Sequence, residues 1–158
     1  MITANLAWLL LFIFAWAVAL LVVPWNRVVN LLLPSFLGGT ILTLIVNLIG
    51  VPILGLWRFP AATISLLGIP VFLLLAFMAE MILFLHYWDH LPGGSAEKGL
   101  YVIAFSLATT VMAFFAMLMR YVVFYNWTLL YFLVVSFAVH ILTLLLYFAP
   151  GLRLETSD

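Results

Sequence analysis

Five apolar runs, each close to or above the ~20 residues that a helix needs to cross a bilayer, dominate the chain. Pro, Gly and charged residues separate them at about 6–23, 36–56, 64–87, 100–119 and 127–148. Hydrocarbon offers no hydrogen bonds, so every backbone N–H and C=O must be satisfied within the protein, and only helices and closed barrels can span. The runs are continuous rather than alternating, which excludes the barrel. The pattern predicts an all-α integral membrane bundle of five transmembrane helices, with four as the alternative count. Connections this short leave no room for a soluble unit, so residues 1–158 read as a single membrane-embedded helical domain.

Charge placement points the same way. Five basic and five acidic residues occur, and all but one fall in predicted loops or in the tail. The exception is Glu80, inside the apolar stretch from Ile69 to Leu85. Charge is costly at membrane depth, so an ionisable residue there is a candidate for function. Only 6% of the residues are charged and 69% are hydrophobic, against roughly 25% charged in soluble domains. The charges cancel, which removes the electrostatic case for nucleic acid. With no cysteine, disulfides, thiolate metal sites, thiol nucleophiles and palmitoylation are excluded together. The first residues, Met1 to Asn5, include no Lys or Arg, so the first run is expected to be a retained span rather than a signal peptide.

An odd number of spans puts the termini on opposite sides. Arg58 and Arg120 then share one face, and Arg27, Lys98 and Arg153 the other. The positive-inside rule favours the C-terminal face as cytoplasmic. Trp25, Trp57, Trp88, Trp127 and Tyr147 fall near span ends, where amphipathic rings anchor at the interface. Trp8 and Trp16 lie within the first span, and a buried indole N–H needs a partner or a cavity. Pro52, Gly55, Gly68 and Pro70 punctuate the segment between Gly50 and Pro70. It reads as two ordinary helix ends, with a bent, partly re-entrant hairpin as the alternative.

Counting from the span ends brings three polar side chains to one depth. Glu80 lies eight residues before Trp88, so ~12 Å inside that interface at the rise of a helix. His140 lies equally far before Phe148, and Asn47, counted from Phe36, falls slightly deeper. A carboxyl, an imidazole and a carboxamide on three helices form an intramembrane polar cluster, suited either to proton handling and ligand orientation or to a hydrogen-bonded clasp between helices. A second cluster, His86, Asp89 and His90, sits at the interface. Its histidines share a helix face at i, i+4, but too few further ligands are nearby for a metal site, so it reads as an anchor. Arg58 and Arg120 are placed to meet lipid phosphate, or to snorkel. Gly38, Gly39, Ala113 and Ala116 suit close helix packing. Ser106, Thr109 and Thr110 are able to bond their own i−4 carbonyls. No catalytic motif, metal site or cofactor site is recognisable.

Two resemblances bear on identity. Asn47-Leu-Ile-Gly-Val-Pro-Ile-Leu-Gly-Leu-Trp57-Arg-Phe-Pro60, Leu67-Gly-Ile-Pro70 and Tyr125-Asn-Trp127-Thr-Leu-Leu-Tyr131 together resemble a family of small polytopic membrane proteins of endospore-forming bacteria. That resemblance implies about five membrane helices in a bacterial cytoplasmic membrane, and no assigned activity. The stretch from Leu54-Gly-Leu-Trp-Arg-Phe-Pro60 to Gly68-Ile-Pro70, followed by a carboxylate before Leu83 and Phe84, is similar to membrane-embedded lycopene cyclase domains. Those domains carry adjacent acidic residues just after a proline, whereas here Pro70 stands ten residues before Glu80, which has no acidic neighbour.

The sequence therefore favours a non-enzymatic accessory or structural subunit, surrounded by lipid and packed against other membrane helices or itself. The alternatives are a small-ligand or proton pathway lined by Asn47, Glu80 and His140, and an intramembrane enzyme on an isoprenoid or lipid with Glu80 as acid.

Overall fold

Helices form where the apolar runs demand them. In the computed structural model, which describes residues 2–60 and 62–149, five helices are long and apolar enough to cross a membrane. They are α1 (Ile2–Val22), α2 (Trp25–Ile53), α3 (Val71–His90), α4 (Ser95–Leu118) and α5 (Leu129–Phe148). The chain is an all-α bundle and an integral membrane protein. Arg153, which entered the orientation argument, and the stop at Pro150 and Gly151 lie outside the described residues.

Two boundaries differ most from the expected ones, the starts of α2 and α3. α2 begins at Trp25 rather than at 36 and runs for 29 residues. Pro34 does not end it. It removes one N–H donor from the ladder, and the helix widens into a π-turn, Phe36–Ile41, immediately afterwards. A second π-turn, Ile49–Ile53, accommodates Pro52; beyond it the Leu54 N–H donates to the Ile49 carbonyl at 2.9 Å and the Leu56 N–H to the Gly50 carbonyl at 2.7 Å.

α3 begins at Val71 rather than at 64, because Leu67 (φ 52°) and Gly68 (φ 82°) turn the chain. Past Ile53 come three two-residue strands, β1 (Trp57–Arg58), β2 (Ser65–Leu66) and β3 (Ile69–Pro70). β2 and β3 form a small hairpin, while β1 pairs antiparallel with β4 (Val123–Phe124) in the α4–α5 connection. The segment from Gly50 to Pro70 thus departs from both expectations. It folds back across the end of the bundle, and buried Trp57 covers Gly50 so closely that a Cβ there would overlap the indole.

α3 is the central helix. Gly39, in the first π-turn of α2, lets two backbones touch: a Cβ there would lie 2.5 Å from the Phe77 carbonyl oxygen and 2.7 Å from the Met78 Cα. Gly38 makes the matching approach to Thr143 of α5. Two bonds to α3 carbonyls secure neighbours, Thr40 Oγ1–H to Leu74 at 3.3 Å and Trp16 Nε1–H to Leu75 at 3.0 Å. At the His90 end, the Asp89 carboxylate accepts from Arg27 of α2 and from the Tyr147 hydroxyl of α5, while Arg27 also donates to Tyr147 at 3.0 Å. One carboxylate therefore ties three helices.

The apolar core fills this half of the molecule. Val28, Leu31, Ile82, Phe84, Leu85 and Val102 are buried in it. Phe84 stacks on Tyr101 with ring centroids 5.4 Å apart, and the Tyr101 hydroxyl donates to the Phe84 carbonyl at 2.8 Å. The other half, toward Trp57, is hollow.

Gly39→Ala tests the backbone contact. The added Cβ meets main chain that cannot rotate away, so unfolding in detergent should show a loss of about 2 kcal/mol. Gly99→Ala, where nothing lies within 4 Å, should be unchanged or slightly more stable.

Candidate functional site

The hollow half is a cavity of about 340 Å³ between the five helices, within the usual ~300–1,000 Å³ of small-molecule sites. Its lining runs along α4 from Phe105 to Ala116 and along α1 from Trp8 to Val18. At the helical rise this gives a length of ~16 Å. Most of the wall is apolar, and the polar groups concentrate at its two ends.

Glu80 of α3 and His140 of α5 stand at the deep end, next to the packed core. The Thr109 hydroxyl of α4 donates to Glu80 Oε1. His140 is 1% exposed, and its ring is held by contacts on several sides. Nδ1 lies 2.8 Å from the Ser136 carbonyl and 3.4 Å from Ser106 Oγ, whose own proton goes to the Val102 carbonyl. The rings of Phe84 and Phe105 meet the imidazole at centroid distances of 4.8 and 6.1 Å. A carbonyl accepts only, so Nδ1 carries the proton and Nε2 of the neutral ring presents a bare lone pair. That Nε2 has no hydrogen-bond partner and lies 3.8 Å from Glu80 Oε1. The separation suits an ion pair and is too long for a hydrogen bond.

The far end is an aromatic cap. Trp8 meets Phe59 at 5.9 Å, Trp57 meets Trp127 at 5.3 Å, and Trp57 meets Phe124 at 6.4 Å. Asn47 fixes the cap: its Oδ1 accepts from Trp57 Nε1 at 3.0 Å, and its Nδ2 donates to the Thr43 carbonyl at 2.9 Å. The indole nitrogens of Trp8 and Trp127 and the hydroxyl of Ser136 are buried without a hydrogen-bond partner, like His140 Nε2, and all four residues line the cavity.

Asn47, Glu80 and His140 thus line one cavity, but only two of them form a pair. Depth counted from Phe36 put Asn47 in their layer. With α2 starting at Trp25, Asn47 lies near the far end of its helix and belongs to the aromatic cap. Thr109 and Ser136 are the members that sequence reasoning missed. Thr109 does lie 3.0 Å from its i−4 carbonyl, Phe105, as a self-satisfied threonine would, and nothing local shows that it also reaches Glu80. Ser106 and Thr110 bond their i−4 carbonyls as expected, at 2.8 and 2.7 Å.

The interfacial residues separate by role. Asp89 turns to Arg27 and Tyr147, whereas His86 and His90 face each other with ring centroids 4.5 Å apart and His90 Nδ1 lies 2.7 Å from the His86 carbonyl. Among the described residues no three His, Asp or Glu side chains converge to hold a metal ion. Arg58 lies over the Tyr125 ring at 5.2 Å. Arg120, in a left-handed conformation (φ 60°) just past α4, is exposed.

No protein-family model, curated protein or solved structure matches the chain. The cavity itself defines the chemistry: a long apolar slot with a carboxyl–imidazole pair at one end and indole donors at the other.

Asn47→Leu leaves the Trp57 indole without its acceptor and should cost about 1–2 kcal/mol in detergent unfolding. Glu80→Gln keeps an oxygen for Thr109 and should cost less than about 1 kcal/mol in the same assay.

Proposed function

We propose that this integral membrane protein binds a lipid-soluble small molecule inside the bundle and handles a proton at the polar end of that molecule through Glu80 and His140. One observation carries the reading. The Nε2 atom of an almost fully buried imidazole has no hydrogen-bond partner, in the wall of an apolar cavity, with a carboxylate oxygen 3.8 Å away. Buried polar atoms without partners are uncommon in native proteins. A bound polar group supplies the missing partner here, and the rest of the slot supplies apolar contact to the remainder of the ligand.

The carboxyl–imidazole pair suits this task. The Ser136 carbonyl fixes the tautomer and the ring orientation, so a proton gained at Nε2 is held beside the Glu80 carboxylate, and Thr109 steadies that carboxylate through its hydroxyl. The pair is thereby placed to take a proton from a ligand or return one. The membrane in this reading is the bacterial cytoplasmic membrane, with the C-terminus on the cytoplasmic side.

A second reading is an accessory subunit, in which partner helices cover the apolar outer faces and Glu80 is a clasp. Purification from the native membrane in mild detergent, with the mass of the complex and its bound small molecules identified together, separates the two. The binding reading expects a defined lipid-soluble molecule near one per chain, lost from Glu80→Leu and His140→Leu while both variants stay folded. Stoichiometric protein partners with an empty cavity would overturn it in favour of the subunit.

A further inference from the structure

We infer that the cavity takes a long-chain alcohol, which enters sideways from the bilayer through a gap between α1 and α4 and places its hydroxyl at the Glu80–His140 pair. The inference rests on the binding reading and adds the ligand class and the route.

The route follows from side chains that line the cavity and also reach the outer surface. Phe14 of α1 is 67% exposed and Met112 of α4 is 46% exposed, yet both line the cavity. Ala108 does the same. A residue that contributes to an internal wall and to the outside at once marks an opening. α1 packs chiefly against α3 and α4 chiefly against α5, so the two helices face each other across the cavity instead of closing it. Two small residues of these helices, Ala15 and Ala113, also line the cavity. These positions lie in the middle of α1 and α4, well inside the spans. The opening therefore gives onto hydrocarbon, and what enters is dissolved in the bilayer.

The ligand class follows from the hydrogen-bonding character of the deep end. Glu80 Oε1 already accepts from Thr109, and His140 Nε2 presents a lone pair. With Nε2 unprotonated and the carboxyl ionised, both groups accept, and a donor on the ligand matches them. A carbonyl or ether oxygen could accept from Ser136 Oγ but would leave both of these acceptors unmatched. A hydroxyl donates to the pair and keeps a lone pair for Ser136 Oγ, which lacks a partner. Between this end and the aromatic cap, the ~16 Å apolar slot matches an extended chain.

The test uses the protein in phosphatidylcholine vesicles and two probes, a long-chain conjugated-tetraene alcohol and its methyl ether. Energy transfer from Trp8, Trp57 and Trp127, all in the cavity wall, reports occupancy and its kinetics. Saturable transfer to the alcohol is expected, with the ether about tenfold weaker or worse for want of one hydrogen bond. Ala108→Trp narrows the gap and should slow binding and release together, several-fold. Phe14→Ala should speed both. Leu107→Trp, on the exposed face of α4 beside the gap but outside the lining, should change neither.

Equal affinity for ether and alcohol would overturn the ligand class. Rates in Ala108→Trp and Phe14→Ala that match those of Leu107→Trp would overturn the lateral route. Wild-type protein that transfers to neither probe, and carries no small molecule from its native membrane, would instead remove the binding reading itself.

Discussion

Backbone contact between Gly39 and the Phe77–Met78 turn of α3 governs where the helices can lie. In lipid the hydrophobic effect does not press helices together, so close packing has to come from surfaces that allow it. Two adjacent glycines in a widened turn of α2 provide such a surface, one against α3 and one against Thr143 of α5. Drawn together there, these three helices bury Phe84, Leu85 and Ile82 on one side of the contact. On the other side nothing of comparable size fills the space, and α1 and α4 stand apart.

The position of the polar residues follows from that division. Glu80 is two residues beyond Met78, where the packed half gives way to the hollow one. A carboxyl in the packed half would need full satisfaction by neighbouring side chains, and in the hollow half it would have no support. At the boundary, Thr109 supports it from one side while the cavity leaves its other side available. His140 occupies the same boundary from α5, with its ring clamped in the core by Phe84 and Phe105 and one nitrogen released from it.

Much of this was legible in the residues. The spans followed from apolar length and from punctuation by Pro, Gly and charge, and depth counting brought Glu80 and His140 together because their helices end at the same face. Depth failed for Asn47 because Pro34 reads as a helix boundary, and only the π-turn after it shows that the helix carries on. The same early start of α2 is what brings Arg27 beside Asp89; as two loop charges they gave no sign of pairing. Thr109 was hidden for another reason. Its hydroxyl does sit 3.0 Å from the Phe105 carbonyl, so its donation to Glu80 depends on how α4 is rotated against α3, which one sequence does not encode locally.

The clasp at Asp89 has a mechanical meaning. It binds α2, α3 and α5 at one membrane face, and the ring stack of Phe84 and Tyr101 stiffens the layer just inside it. The opposite end is held by two-residue strands and ring edges around the cavity. Close-packed interiors barely compress, whereas voids do. The bundle is thus close-packed and stiff at the face of the clasp and more compressible at the end that encloses the cavity.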